Sequence, residues 1–241
     1  MAIEKFGLEL VESKNITSNV KHFAFKRDDG KKLNFIAGQF ITFLFDHEDG
    51  KLRRRSYSVA SIPSQTDHIE IAISYVKDGI ASEHLFNMKA GDSFNAMGPA
   101  GRLILKDESI RKLILAGTGT GIAPYRAMLP ELATKTDMEI HILLGVQYRQ
   151  DALYAEDFRA YAKQYPHMHF TACLSRETEN LANDEFNGYV QNQFEALNLD
   201  PQQDVVYLCG NPHMIDQSFE MLSNAGFDAK NVRREKYISS N

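Results

Sequence analysis

The sequence predicts a two-domain protein: an antiparallel β-barrel over residues 1–108, then an α/β domain built on a parallel sheet over residues 109–241. Three observations carry this. In the first half, short segments alternate apolar and polar residues between turn-forming residues, as half-buried antiparallel strands do. In the second half, short apolar runs alternate with helical segments, the pattern of a parallel sheet covered by helices. Where that half begins, the apolar run at 113–116 ends in Gly117-Thr118-Gly119-Thr120-Gly121, followed by Pro124: a strand-to-helix turn.

Composition bounds the class. The chain has 241 residues, 43% hydrophobic and 24% charged, which suits two domains of ordinary size. No apolar run reaches the length of a membrane span, and the opening Met1-Ala2-Ile3-Glu4-Lys5-Phe6 lacks the build of a signal peptide. Cys173 and Cys209 are too few for a disulfide framework or an iron–sulfur cluster, so a reducing, cytoplasmic setting is expected. The net charge of −5 argues against general nucleic-acid binding. A monomer without a metal is expected.

In the first half, strands are expected at 6–11, 20–25, 40–45 and 69–75, with turns at Asp28-Asp29-Gly30, Asp49-Gly50 and Asp78-Gly79. Between them lies a basic stretch containing Lys51, Arg53, Arg54 and Arg55, then Ser56, Tyr57 and Ser58. Side chains repeat every second residue along a strand, so Arg55 and Tyr57 share a face. A guanidinium can clamp a phosphate, a phenol ring can stack on a flat aromatic system, and a neighbouring hydroxyl can bond a ring heteroatom. Gly79 permits a turn, and Ser82 is expected to cap a short helix running to Met88. The free amides of its first turn would cradle an anion. His84 reads as a surface residue of that helix. The run from Met97 through Gly98, Pro99 and Gly101 is expected to close the barrel with a tight turn.

In the second half, strands are expected at 113–116, 139–145, 167–174 and 204–209, and helices at 124–134, 151–164 and 212–224. Pro130 should end or kink the first helix, and Gly226 sits where a helix-terminating glycine belongs. Tyr154, Phe158 and Tyr161 fall on one helical face and read as core. Glycines 117, 119 and 121 let backbone amides approach something anionic, such as a dinucleotide pyrophosphate. The alternative is the same turn without a ligand, because the spacing is Gly-x-Gly-x-Gly and no acidic residue closes the strand at 140–145. Ser175 and Arg176 end a strand and can hold an anion there, with Arg149 adding charge and Tyr189 a ring. Cys209-Gly210-Asn211-Pro212 ends the last of these strands, and Pro212 opens a helix.

Arg55-x-Tyr57-Ser58, Gly79-x-x-Ser82, Gly98-Pro99-x-Gly101, the turn from Gly117 to Pro124, and Cys209-Gly210-Asn211-Pro212 stand in one order along nearly the whole chain. In this the chain resembles the ferredoxin–NADP reductase superfamily, and within it the bacterial ferredoxin/flavodoxin type. The resemblance implies that the barrel binds FAD. Arg55 and the helix end at Ser82 would take the flavin pyrophosphate, with Ser56, Tyr75, Gly79, Ile80 and Ala81 in the same site. Tyr57 would lie along the isoalloxazine or ribityl part, and Ser58 near flavin N5. It also implies NADPH on the second domain: the turn at Gly117, Thr118, Gly119, Thr120, Gly121 and Pro124, then Ser175, Arg176, Tyr189 and Gln191 toward the 2′-phosphate and adenine, with Arg149 nearby. An arginine in place of an acidic residue favours NADPH over NADH. Cys209, with Gly210, Asn211 and Pro212, would lie beside the nicotinamide.

Plant-type members of the superfamily end in Glu-x-Tyr with the ring on the flavin. Glu235-x-Tyr237 resembles that, with four residues following. Ser58, Cys209, Glu235 and Tyr237 are therefore the candidate catalytic residues, Ser58 and Glu235 handling protons. The implied activity passes hydride from NADPH to FAD, then single electrons to ferredoxin or flavodoxin. An NAD(P)H:flavin reductase, the reductase component of an oxygenase, and a non-catalytic flavin sensor are the alternatives. The basic groups at 51–55 and 233–236 suggest docking of an acidic partner.

Overall fold

The computed structural model describes residues 3–46, 49–62 and 65–238. It forms two compact units, which meet along the chain between Leu105 and Lys106.

The first unit holds β1 (Glu4–Asn15), β2 (Val20–Arg27), β3 (Phe40–Asp46), β4 (Leu52–Ser58), β5 (Ile69–Ser74), α1 (Ile80–Asn87) and β6 (Ser93–Ala100). The strands make one antiparallel sheet in the order β4-β3-β6-β1-β2-β5. Alternation decides the faces: in β3, Ile41, Phe43 and Phe45 are buried, while the residues between them are half-buried. Phe25, Phe43 and Phe94 pack edge to face, with centroids 4.5–5.6 Å apart. The two end strands are drawn together just past β4, where the Ala60 amide donates to the Glu70 carbonyl on β5 at 2.7 Å. The Ser61 hydroxyl accepts from the Glu70 amide and donates to the His68 carbonyl. The sheet thus curls back on itself, as a barrel must.

Two expectations for this unit are corrected. Gly98 and Pro99 lie inside β6, not in a closing turn; a register shift between Phe40 and Thr42 on β3 absorbs them. Ser82 is not the cap of α1: Gly79 holds that position in an extended conformation, and Ser82 is buried within the first turn.

The second unit holds β7 (Lys112–Thr118), α2 (Ala123–Ala133), β8 (Glu139–Val146), α3 (Ala155–Gln164), β9 (Met168–Leu174), β10 (Glu185–Asn187), α4 (Gln193–Ala196), β11 (Asp204–Gly210), α5 (Pro212–Asn224) and β12 (Val232–Lys236). Its sheet is parallel throughout, in the order β10-β9-β8-β7-β11-β12. The central strands are covered on both faces: every residue of β11 is buried. On one face Phe158 of α3 stacks on Phe170 of β9. On the other, Met214, Ile215 and Leu222 of α5 join Ile114, Val206 and Leu208 in one core cluster. Helix α5 stops at Gly226, whose φ is 94°; the Gly226 amide bonds the Ser223 carbonyl and the Phe227 amide bonds the Leu222 carbonyl, a double closure that the glycine permits.

Departures from the expected elements have local causes. Pro130 sits inside α2, which continues to Ala133. The segment at 149–151 is a separate 3₁₀ turn, and α3 begins only at Ala155, because Tyr154 takes a left-handed conformation with φ 58°. Tyr154 is therefore a cap whose ring carries the Arg126 guanidinium 4.6 Å above it, and it is not part of a buried helical stripe. Strands β10 and β12 escaped sequence reading because one has three residues and the other, Val-Arg-Arg-Glu-Lys, is almost wholly charged.

Candidate functional site

In the first unit the register of β3 with β4 sets the geometry. Tyr57 lies opposite Ile41, Arg55 opposite Phe43 and Arg53 opposite Phe45. Arg53, Arg55 and Tyr57 thus share the face of a buried apolar row and are themselves half-buried, while Leu52, Arg54 and Ser56 are exposed on the other face. The Tyr57 ring rests 5.1 Å from Phe43. Burial raises its phenol pKa well above the ordinary value, so the ring stays neutral at any physiological pH. Arg55 donates to the Arg54 carbonyl at 2.9 Å, and Arg53 donates to Asp49 at 2.7 Å. Ser56, expected in one site with Arg55 and Tyr57, points the other way and shares a 2.9 Å hydrogen bond with Thr42. Ser58 is buried where β4 ends.

Helix α1 rests on the same row of rings: His84 stays exposed, as expected of a surface residue, with its ring edge-on to Phe45 5.4 Å away. A Cβ at Gly79 would come within 2.9 Å of both the Ser82 hydroxyl and the Val76 carbonyl, so only glycine allows this tight entry. Ser82 accepts from the Val76 amide at 3.0 Å and so ties the turn together from inside. The first-turn amides of Ile80, Ala81 and Ser82 have no acceptor within the helix. Tyr75 donates to Glu83 of α1, which raises its own pKa.

In the second unit all strands run the same way, so the ends of β7, β8, β9 and β11 gather on one side. Here the glycines need a new account. A Cβ at Gly121 would stand 2.3 Å from the Cys209 carbonyl, and one at Gly117 would stand 2.8 Å from the Gly121 carbonyl. These two glycines serve the chain's own crossing of the β7 turn and the end of β11. Gly119 alone, with φ 51° and open space around its Cα, leaves backbone accessible. The side chains at this crossing are also occupied. Thr118 accepts from the Asn211 amide at 2.9 Å. Asn211 caps α5 by accepting from the amides of His213, at 2.8 Å, and Met214. Thr120 falls within the 3₁₀ turn Gly119–Ile122, and Pro124 is the second residue of α2. Pro212 opens α5.

Cys209 is fully buried. Desolvation pushes its thiol far above the usual range, the Glu235 carboxylate adds to that, and a hydrogen bond from Tyr237 opposes it. Glu235 stands directly opposite Cys209 in the β11–β12 ladder, and the Tyr237 amide bonds the Gly210 carbonyl at 2.8 Å. Nothing here makes the thiol a nucleophile.

At the end of β9 the backbone pairing continues: the Ser175 amide bonds Val146 and the Arg176 amide bonds Gln147, each at 3.0 Å. The Gly188 amide bonds the Leu174 carbonyl, so the chain leading to Tyr189 passes the end of β9. Arg176 is exposed and Tyr189 is 63% exposed. Among the described residues no carboxylate pairs with Arg176. Gln191 donates to Gln217 at 3.0 Å. Arg149, expected to add charge near the nucleotide, has partners of its own: its guanidinium is bidentate to Glu185 at 2.6 and 2.7 Å and also donates to Glu177 at 2.9 Å. Its charge is already balanced, and the pairing holds the Glu185 carboxyl down at about 2. The residue missed from sequence is Glu185, which lies in a three-residue strand with no pattern to mark it.

The basic groups are thinner than their sequence suggests. Arg233 bonds Glu108 at 2.6 Å and Tyr207, and only 11% of its side chain is exposed. Lys236 pairs with Asp216 at 2.6 Å. Lys51, Arg54 and Arg234 stay exposed, the last lying over Phe219 at 3.5 Å.

Two family models match the chain: an oxidoreductase FAD-binding domain over residues 7–104 and an oxidoreductase NAD-binding domain over residues 115–219. The chain is 28% identical, over 97% of its length, to ferredoxin–NADP reductase B of Sorangium cellulosum, and covers 98% of that protein. It is also 28% identical, over 87% of its length, to the toluate 1,2-dioxygenase electron transfer component of Pseudomonas putida, of which it covers 60%. Among solved structures, a ferredoxin NADP+ reductase from Neisseria gonorrhoeae with bound FAD and NADP shares the fold, with a TM-score of 0.81 at 22% identity; the match covers 96% of this chain and 98% of that one. The Amycolatopsis cytochrome P450 reductase GcoB does so with a TM-score of 0.85 at 24% identity, covering 99% of this chain and 71% of that one. No helix among the described residues is long and apolar enough to cross a membrane.

Proposed function

Since the chain belongs to the ferredoxin–NADP reductase superfamily, we propose that it is an FAD-dependent NADPH reductase that supplies single electrons to a ferredoxin or a flavodoxin. The residues of each unit fit their cofactor. In the first, the entry at Gly79, which a Cβ would fill, leads into three first-turn amides without helical acceptors. Arg55 and the half-buried Tyr57 ring share one face of β4. In the second, the open backbone at Gly119 and the exposed Arg176 offer an anion site, and the exposed Tyr189 offers a flat ring.

A bound flavin would supply hydride acceptance from reduced nicotinamide and one-electron release to the acceptor. The chain's part is binding and orientation. The amides of Ile80, Ala81 and Ser82, together with Arg55, hold the flavin diphosphate. Tyr57 presents a ring that burial keeps neutral, and Ser58 offers a fixed hydroxyl at the end of β4. Gly119 lets backbone amides meet the nucleotide diphosphate. Arg176 would pair with a 2′-phosphate and Tyr189 would offer its ring to the adenine. Arg149 takes no part, because Glu185 and Glu177 already hold it. The sealed Cys209 thiol serves as packing beneath the strand end, not as a redox group.

The single observation that carries the choice of NADPH is Arg176, exposed at a strand end with no acidic partner among the described residues. Anaerobic titration with NADPH and with NADH, followed by flavin bleaching near its visible band, tests the reading. NADPH is expected to bleach the flavin stoichiometrically at far lower concentration than NADH; equal titration by both would overturn the preference. Added ferredoxin should then reoxidise the flavin. A second reading, electron supply to an oxygenase, rests on the likeness to the toluate dioxygenase component, and turnover with an oxygenase but not with ferredoxin or flavodoxin would favour it. The two buried, unpaired cysteines fit a reducing, cytoplasmic setting, and we take the working form to be a monomer.

A further inference from the structure

At the amino-terminal end of the parallel sheet, opposite the strand ends that carry the second unit's nucleotide site, three metal-binding side chains meet on one face. Glu139 and His141 alternate along β8, and His169 is the direct neighbour of His141 on β9. Their rings stack with centroids 4.7 Å apart. One ligand atom from each residue lies within 4.8 Å of the other two. Glu139 Oε1 is central: it stands 2.9 Å from His141 Nε2 and 3.6 Å from His169 Nε2. The other oxygen of that carboxylate is taken by Lys112, at 3.1 Å, which turns Oε1 toward the two rings.

We propose that Glu139, His141 and His169 form a binding site for one divalent first-row transition ion, with Zn²⁺ as the best fit, clipping β8 to β9. Two imidazoles and a carboxylate are a donor set for such ions and not for Ca²⁺ or Mg²⁺, which want oxygen alone. Ligands bound at about 2.0–2.1 Å around a tetrahedral ion stand roughly 3.4 Å from one another, and the two separations from Oε1 bracket that value. A second observation points the same way. His141 Nε2 is buried and faces Glu139 Oε1 across 2.9 Å, so a nitrogen donor is already aimed at the carboxylate oxygen that an ion would share with it. His141 is 12% exposed, whereas Glu139 and His169 are 41% and 46% exposed, so an ion can enter from solvent and keep water as its fourth ligand. Lys112 orients the carboxylate from behind, as outer partners of metal ligands do. No spacing motif marks the site, because its two halves come from separate strands.

The test uses the full chain with its flavin, treated with a chelator and then dialysed against Zn²⁺ alone. Bound zinc is counted per chain for the natural protein and for Glu139→Gln and His169→Ala. Both changes are at half-exposed positions, and melting of each variant in chelator checks that it is folded. One zinc per chain is expected for the natural protein, with affinity falling roughly 100-fold or more in each variant. Zinc should also raise the melting temperature of the natural protein and not that of the variants. Equal zinc uptake by the three proteins, or no uptake by the natural one, would overturn the proposal; neither outcome bears on flavin reduction.

Discussion

The Tyr237 side chain hydrogen-bonds the thiol of Cys209, a residue with no solvent exposure at the end of β11. The bond ties the last aromatic residue among those described to the end of β11, an interior strand of the parallel sheet. The backbone bond from the Tyr237 amide to the Gly210 carbonyl reinforces it. Tyr237→Phe should therefore lower stability by about 1 kcal/mol, the net worth of one hydrogen bond, read as a shift in the denaturant midpoint. An unchanged midpoint would mean that the backbone bond alone holds the segment.

Both thiols should be silent at neutral pH and costly at high pH. Burial pushes Cys173 up to about 12, and Cys209 is also raised, from an unfolded value near 9. The folded state therefore keeps protons that the unfolded state loses as pH passes 9. Stability should be flat from pH 7 to 8, then fall by about 1.4 kcal/mol per pH unit for each thiol above pH 9. Denaturation curves at pH 7.5 and 9.5 measure this, and Cys173→Ala should remove part of the slope. Iodoacetamide should label neither cysteine until the chain is unfolded; rapid native labelling at pH 8 would contradict the burial.

The glycines of the β7 turn should divide by mechanism. Gly121→Ala forces a Cβ to within 2.3 Å of the Cys209 carbonyl and should cost about 3 kcal/mol or more, with loss of nucleotide binding. Gly119→Ala meets no atom and pays only for its left-handed φ, about 1–2 kcal/mol. Thermal unfolding of the two variants side by side decides it, and equal losses would refute this division.

Two arginines near the end of β9 should behave oppositely. Arg176→Ala should reduce kcat/KM for NADPH by roughly 10- to 100-fold, the worth of charge-assisted bonds to a phosphate, and leave NADH almost unchanged. Arg149→Ala should leave both nucleotides alone and lower the melting temperature, since it strands the Glu185 carboxylate. The sign with pH follows from Glu185, which is held down at about 2: its contribution is present above the unfolded value near 4.5 and fades as pH falls from about 5 toward 2. Arg149→Ala should lose that part of the acid dependence. A changed NADPH KM in Arg149→Ala would restore it as a ligand contact.

For the acceptor, charge reversal at the exposed Arg54 and Arg234 should slow electron transfer to ferredoxin at low salt while sparing ferricyanide. Reversal at Arg233 should instead destabilise the protein, because that residue is held by Glu108 and Tyr207. Equal loss with both acceptors would rule out electrostatic docking.

Local pattern was enough to read the two-part architecture. Period-two alternation in segments such as Phe40–Asp46 and the apolar runs of β7, β8 and β11 name a strand and its buried face directly, because burial of one face or of both is written into consecutive residues. The placement of Arg55 with Tyr57 followed from the same periodicity. What tertiary structure alone decided are matters of which distant groups meet. Gly121 is needed for the Cys209 carbonyl, Arg149 is claimed by Glu185, Asn211 is used up as a helix cap, and Glu139 finds His169 across two strands. A sequence lists charges and donors but not their partners, and a side chain's chemistry belongs to whichever partner the fold sets within about 3 Å of it.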